Sequence, residues 1–279
     1  MRAAFLGPAG TFSEEALLAS TSLAGDDVEA VPVATVHDVV MAVQQGEAER
    51  GVVPIENSIE GSVDATLDAI TGRAPDVSIV GEVVLPVRHA LIAAPGLSMD
   101  AIEVVVSHPQ ALAQCGTFLR EELGAARAVS WTSTAEAVRV TAGRARDGWA
   151  AIGTHRAARL YGCDVVRDGI EDVEGNATRF VWLAPTGTEP VAAPAKTSLA
   201  FSGGGAGQPG WLVRCLSEFA FRGVNLTRIE SRPRKDRLGD YVFFVDLEGG
   251  TLEERVAEAV EGLRAHCDQV RVLGSYPAA

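Results

Sequence analysis

Apolar and polar positions along this chain follow two rhythms. Short apolar runs bounded by Gly, Pro or polar residues predict strands, and apolar residues at i, i+3, i+4 and i+7 predict helices. Residues 3–6 read as a strand that ends in Gly7-Pro8-Ala9-Gly10, and Thr11 with Glu14 forms a capping box opening a helix to about residue 19. After a strand at 31–33, Val36, Val39, Val40 and Val43 stripe one face of the next helix. A third strand at 51–54 runs into Ile55-Glu56-Asn57-Ser58, and beyond Gly61 and Ser62 a helix turns Val63, Leu67 and Ile70 inward. Strand and helix alternate three times, the order that builds a parallel sheet.

The run 77–92 is longer, interrupted by Gly81 and Pro86, and reads as a strand that crosses into a second lobe. A strand at 102–106 leads into Ser107-His108-Pro109. Pro109 suits a first helical turn, with Leu112, Cys115 and Leu119 as the buried stripe. Ser133 and Glu136 make another capping box before a helix to about residue 145. Residues 149–152 form a strand, and Thr154 starts a helix that Gly162 ends. Runs at 165–166 and 180–184 close this region, so 1–184 is expected to be two α/β lobes around a cleft. Three prolines among small residues at 185–195 predict a semi-extended linker. The order then changes: strand 197–201, the glycine-rich loop 203–207, helix 210–221, strands 226–231 and 241–247 around a charged turn at 235–239, helix 252–267 and strand 270–273. That βαββαβ order over 196–279 is the ferredoxin-like unit.

With 47% hydrophobic and 22% charged residues in 279, the chain can bury a sizeable core. A formal net charge of −13 argues against nucleic acid and anionic membrane surfaces as partners, and obliges any anionic substrate to be held by local devices. No apolar run approaches the roughly 20 residues of a membrane span. The N-terminus has no signal-peptide pattern, so the cytoplasm is the expected location. Cys115, Cys163, Cys215 and Cys267 lack metal-ligand spacing, and three of them fall on apolar helical positions; neither a metal nor a disulfide is expected. The turn after the first strand is not a dinucleotide fingerprint, so no nucleotide cofactor is expected either.

The candidate chemistry gathers at strand ends. Glu174-Gly175-Asn176-Ala177-Thr178-Arg179-Phe180 sets a hydroxyl and a guanidinium where a turn feeds a strand. Pro54-Ile55-Glu56-Asn57-Ser58 and Ser107-His108-Pro109-Gln110 occupy two other strand ends. Together with Gly7-Pro8-Ala9-Gly10-Thr11-Phe12-Ser13, this ordered set resembles prephenate dehydratase. Gly210-Trp211-Leu212-Val213, Gly223-Val224-Asn225-Leu226-Thr227 and Glu230-Ser231-Arg232-Pro233 resemble the amino-acid-binding ACT domain and extend the likeness over nearly the whole chain.

The resemblance implies a periplasmic-binding-protein-like catalytic fold with a central cleft, followed by a ferredoxin-like ACT domain. It also implies the conversion of prephenate to phenylpyruvate, with loss of carbon dioxide and water and no cofactor. The chain begins at the catalytic half and looks monofunctional, without a chorismate mutase segment in front. The catalytic group falls on Thr178, Glu56, Asn57, Ser107 and Gln114, with Thr11, Phe12, Ser58, Arg179 and Phe180 as substrate contacts. Helix N-termini at Thr11, Ser58, Ser107 and Thr154 are candidate anion sites. Each residue has a plainer role: Asn57, Ser58 and Ser107 as helix caps, Gln114 as a solvent-facing amide, Glu56 as a loop charge. His108 reads as structural, and His37, His89, His155 and His266 show no triad or metal spacing. Thr178 is expected to hold the leaving hydroxyl, and Glu56, its pKa raised by burial and substrate charge, to carry the proton. In a regular strand Thr178 and Arg179 face opposite ways, so Arg179 would equally brace the fold. Phenylalanine is the expected allosteric ligand, held by Gly210, Trp211, Leu212, Val213, Asn225, Leu226, Glu230, Ser231, Arg232 and Pro233, with ACT domains pairing into a dimer or tetramer. Trp211, where the family has a small residue, would fill that pocket, stack on the ligand, or serve as a core or dimer-contact aromatic. The remaining alternatives are an arogenate dehydratase and a non-catalytic amino-acid-sensing binding protein.

Overall fold

The computed structural model describes residues 1–23, 27–144, 147–203, 208–234 and 239–279. Most of the glycine-rich loop (204–207) and of the charged turn (235–238) therefore lies outside the described residues. The first lobe contains β1 (Arg2–Leu6), α1 (Phe12–Ala19), β2 (Glu29–Val33), α2 (Val36–Gln44), β3 (Arg50–Asn57), the two-residue β4 (Gly61–Ser62), α3 (Asp64–Arg73) and β5 (Val77–Pro86). The second contains β6 (Ala90–Ala93), β7 (Val104–Ser107), α4 (Pro109–Gln114), α5 (Gly116–Glu122), β8 (Arg127–Ser130), α6 (Thr134–Thr141), β9 (Trp149–Gly153), α7 (His155–Tyr161) and β10 (Asp164–Asp168). The chain then returns to the first lobe as β11 (Ala177–Pro185).

The first sheet runs β2-β1-β3-β11-β5, with β4 paired to β3. The strands β1, β2 and β3 are parallel; β11, arriving from the other lobe, is antiparallel to both β3 and β5. The second sheet runs β10-β6-β9-β7-β8. The apolar run 77–92 is indeed cut between lobes, at 87–89, and the return crossing is 169–176. These two crossings lie side by side: Val87 N–H donates to Asn176 O at 2.8 Å and Ile170 N–H to His89 O at 3.1 Å.

Three local details depart from the sequence expectation. Strand β8 is short and mostly exposed (Arg127, Ala128 and Ser130), so it carries no apolar signal. The helix after Pro109 breaks at Cys115, which leaves the helical region (φ −116°, ψ 22°) yet stays fully buried. The capping boxes at Thr11 and Ser133 are half-made. Both hydroxyls accept the expected N–H, but Glu14 turns to Gly10 N–H and Arg156, and Glu136 to Arg139. Thr35 and Asp38 form the complete box instead.

Beyond 185–195 come β12 (Lys196–Ser202), α8 (Trp211–Ala220), β13 (Leu226–Pro233), β14 (Tyr241–Glu248), α9 (Glu254–Arg264) and β15 (Gln269–Tyr276). Their sheet runs β13-β14-β12-β15, antiparallel throughout, the ferredoxin-like arrangement. Its two faces have different partners. Leu199, Phe201, Val245 and Leu247 pack under α8 and α9. Ala200, Phe244, Leu273 and Tyr276 join the apolar core of the first lobe with Val39, Val53, Ile70 and Val181. Burying both faces welds this unit to the back of the first lobe. Among the described residues no helix is long and apolar enough to cross a membrane.

Candidate active site

The two lobes enclose a cleft of about 390 Å³, and the sheet pairing determines which side chains reach it. In the β11–β3 ladder Thr178 lies opposite Asn57, and Arg179 opposite Glu56. A strand alternates its faces, so one pair turns to the cleft and the other away. Thr178, Asn57 and Phe180 line the cleft, with Thr11 and Phe12 from the start of α1, Gln114 from the end of α4, and Ser133 and Thr134 from the start of α6.

The cleft network has a fixed direction. Asn57 Oδ1 accepts the backbone N–H groups of Ile59 and Glu60, each at 3.0 Å. Those donors settle the amide's orientation, so its NH₂ donates to Asn176 Oδ1 at 2.8 Å and to Thr178 Oγ1 at 2.9 Å. Thr178 thus receives a hydrogen bond and keeps its own proton for an acceptor in the cleft. Asn176 Nδ2 reaches Gln114 Oε1 at 3.4 Å, and Gln114 Nε2 donates to Glu60 at 3.2 Å. Gln114 Oε1 also meets His89 Nε2 at 3.0 Å, which places the imidazole proton on that nitrogen. Burial holds the His89 pKa below its ordinary value, against the opposing pull of Gln114, so the ring is neutral at neutral pH. Phe12 packs edge-on to it, ring centres 5.7 Å apart.

Four expected residues stand elsewhere. Ser107 is fully buried and donates to Ile152 O at 2.7 Å, inside the second sheet rather than in the cleft. His108, not Ser107, caps α4 and lines the cleft. Glu56 faces the rear of the first sheet, 3.6 Å from Arg179 and 3.9 Å from Arg228, where it cannot deliver a proton to the cleft. Arg179 likewise faces the rear, bonded to Asp246 at 2.5 Å, and is a brace rather than a substrate contact. Ser58 supports the site from behind, accepting Ala177 N–H at 3.0 Å and contacting Asn176 Oδ1 at 3.3 Å. Of the candidate anion sites, Thr154 caps α7 but spends its hydroxyl proton on Gly10 O at 2.7 Å. The start of α6 stands in the cleft instead.

That contact with Gly10 belongs to a clasp between the lobes. Gly10 (φ +89°) lies so close to α7 that a Cβ there would meet Ala157 at 3.1 Å. Glu14 Oε2 accepts from Arg156 Nε across the gap at 2.5 Å. Burial would raise the Glu14 pKa, but Arg156 and the Gly10 N–H outweigh it and hold it low.

Sequence reasoning passed over Asn176 and His89. Asn176 was readable only as a turn former, and nothing local shows that it is 4% exposed and joins three side chains. In the C-terminal unit, Trp211 is a core aromatic. It packs on Phe201 and Phe243 and donates to His266 O at 2.6 Å, so it neither fills nor caps an open pocket. Gly210 caps α8 in the left-handed conformation (φ +78°), Leu212 packs against the core, and Val213 and Asn225 are exposed. Glu230 and Arg232 pair with Phe244 and Val242, the face that meets the first lobe. There Glu230 accepts from Ser62 at 2.7 Å and Arg232 pairs with Asp64 and Asp68. Ser231 pairs with Phe243 on the opposite face. Leu226 is half-buried, and Ser231 and Pro233 are exposed. The expected ligand set is therefore divided by the sheet within one protomer. Among the described residues no group of three or more His, Cys, Asp or Glu side chains is arranged to hold a metal ion.

A family model described as prephenate dehydratase matches residues 3–188. The chain belongs to the prephenate dehydratase family. Within it, the prephenate dehydratase of Amycolatopsis methanolica is 39% identical over all of this chain and 89% of its own length. Arogenate dehydratase 1 of Petunia hybrida is 37% identical over 99% of this chain and 67% of its own. The crystal structure of prephenate dehydratase from Arthrobacter aurescens in complex with L-Phe superposes with a TM-score of 0.89 and 37% identity, covering 99% and 89% of the two chains. A protein described as GqqA, a novel type of quorum quenching acylase, superposes with a TM-score of 0.87 at 30% identity, covering 100% and 98%.

Proposed function

We propose that this chain catalyses the decarboxylative dehydration of prephenate to phenylpyruvate in phenylalanine biosynthesis. The observation that carries the reading is the Thr178 hydroxyl, held by Asn57 with its proton free toward the cleft. As the ring carboxylate leaves as carbon dioxide, its bonding electrons enter the ring and the C–O bond at the far carbon breaks. Thr178 hydrogen-bonds that departing oxygen. An alcohol is a weak acid, so Thr178 holds and polarises the leaving group, and the net proton that makes water comes from solvent. The starts of α1 and α6 stand at the cleft, where their positive ends give local attraction for a dianion on an acidic protein.

The acylase likeness favours no second reaction. Acyl transfer needs a nucleophile beside a base, but the two imidazoles of the cleft are bonded to other groups, His89 Nε2 to the Gln114 amide and His108 Nδ1 to the Gln110 N–H. The C-terminal unit we read as an ACT domain with phenylalanine as its feedback ligand. Its exposed β13 edge beside α8, with Ile229, Ser231 and Val213 uncovered, suits completion by a second copy in a dimer or tetramer. Incubating the purified protein with prephenate and with arogenate, and following phenylpyruvate and phenylalanine, tests the reading. Turnover of prephenate is expected; phenylalanine from arogenate alone would make it an arogenate dehydratase, and no turnover of either would leave the binding-protein reading.

A further inference from the structure

Directly behind the catalytic pair, one peptide unit from Thr178 and one from Asn57, lies a cluster of six charged side chains shared between two bodies. The first lobe supplies Arg179, Glu56 and Glu82; the four-stranded sheet supplies Lys196, Arg228 and Asp246. Arg179 lies 2.5 Å from Asp246, 3.5 Å from Glu82 and 3.6 Å from Glu56. Lys196 meets Glu82 at 2.5 Å, and Arg228 lies 3.8 Å from Asp246 and 3.9 Å from Glu56. Asp246 and Glu82 are almost wholly buried, and Arg179 keeps a tenth of its side chain exposed.

Among these six groups the charges do not balance on either side. On the lobe side one cation faces two carboxylates, a net −1; on the sheet side two cations accompany one carboxylate, a net +1. Arg179 and Glu56 each have a partner of opposite charge on the sheet, so a displacement of the sheet is felt electrostatically at both. The cluster is also incompletely hydrogen-bonded: Arg179 Nε and Glu82 Oε2 are buried without a partner. A small shift would let Arg179 exchange its bond to Asp246 for one to Glu82 or Glu56. Such an exchange is a second discrete arrangement, which transmission between sites requires. Between Arg179 and Phe180 the pairing of β11 with β3 slips by one residue, so the ladder is irregular at this point.

We propose that Arg179, Glu56 and Asp246 are positioning residues for the Thr178–Asn57 pair, and that the docked four-stranded sheet holds that pair in register through this ion cluster. None of the three touches substrate. The four-stranded sheet reaches the cleft through strands β11 and β3, whose opposite faces carry the hydroxyl and amide. The proposal rests on the catalytic reading of the cleft, but one arm of its test needs no substrate.

The experiment compares the parent with Asp246→Asn and with Glu56→Gln, the latter a milder change at a partly exposed side chain that guards against loss of folding. The first arm measures kcat and KM for prephenate. Asp246→Asn is expected to lower kcat by about 3–30-fold, the range of coupling changes, with little change in KM. Glu56→Gln shifts it in the same direction by less. Arg179→Lys, which keeps the charge but not the fork, retains more activity than Arg179→Met. The second arm follows amide hydrogen exchange at Ile59 and Glu60, whose N–H groups bond Asn57 Oδ1. These two amides exchange faster in both variants while the amides of β7 and β9 hold their parental rates. Parental kcat together with parental exchange at Ile59 and Glu60 in both variants overturns the proposal. So does faster exchange spread equally through β7 and β9, which would mark a general loss of stability. If the parent leaves prephenate untouched, the catalytic reading fails and the exchange arm alone decides the coupling.

Discussion

Thr178 and Arg179 are neighbours on β11, and the two faces of the strand differ in kind. Toward the cleft, Thr178 and Asn57 belong to a network of neutral amides whose direction two backbone N–H groups determine. Toward the rear, Arg179 and Glu56 sit among charges, some of whose polar atoms are left without hydrogen bonds. A network anchored to backbone donors has one low-energy arrangement, which suits a group that must hold a leaving oxygen. A charge cluster with unfilled bonds has alternatives close in energy, which suits a joint between two bodies. The sheet thus separates a rigid face from an adjustable one by a single residue.

Substitutions can break this contrast. The largest effect is expected at Thr178: Thr178→Val should cut turnover by about 10²–10⁴-fold, as loss of acid–base assistance does, while Thr178→Ser retains most of it. Steady-state rates with prephenate check this, with a parental melting temperature as control. Next, Arg179→Ala leaves Asp246 and Glu82 buried with less compensation and should lower stability by about 3–5 kcal/mol in denaturant unfolding. The four-stranded sheet shows a similar contrast. Trp211→Ala removes packing from its helix-covered face, at a cost of about 3 kcal/mol in the same measurement, without opening a ligand pocket. The smallest effect sharpens the picture of the clasp. Because the Glu14 pKa is depressed in the folded state, its contribution is present above the ordinary carboxylate pKa and is lost as pH falls through the depressed value. Glu14→Gln should therefore cost about 1 kcal/mol near pH 7 and almost nothing in strong acid, read as the difference between two pH–stability curves.

Much of this was legible in the residues. The helices and strands around 1–57 follow periodicity and caps, and the βαββαβ order emerges from the same patterns. The alternation rule parts Thr178 from Arg179, and the β11–β3 register carries the same separation to Asn57 and Glu56. That register pairs Asn57 with Thr178, 121 residues away, beyond the reach of any local pattern. Ser107 resembled a site residue because it ends a strand, but whether a terminal hydroxyl turns outward or bonds a neighbouring strand depends on Ile152, known only once β7 and β9 pair. Trp211 was ambiguous because an aromatic at a helix start suits a pocket and a core equally until Phe201 and Phe243 stand beside it.

The central claim is that Asn57 and Thr178 act as one unit on the leaving oxygen, and a double-mutant cycle tests it most directly. The rate kcat/KM for prephenate is measured for the parent, Asn57→Ala, Thr178→Val and the double variant. Residues that share one hydrogen-bonded function are strongly non-additive, with coupling of about 0.5–3 kcal/mol. The account predicts a double variant scarcely slower than Thr178→Val alone, since Asn57 has nothing left to orient. Losses that simply add, with coupling near zero, would contradict it.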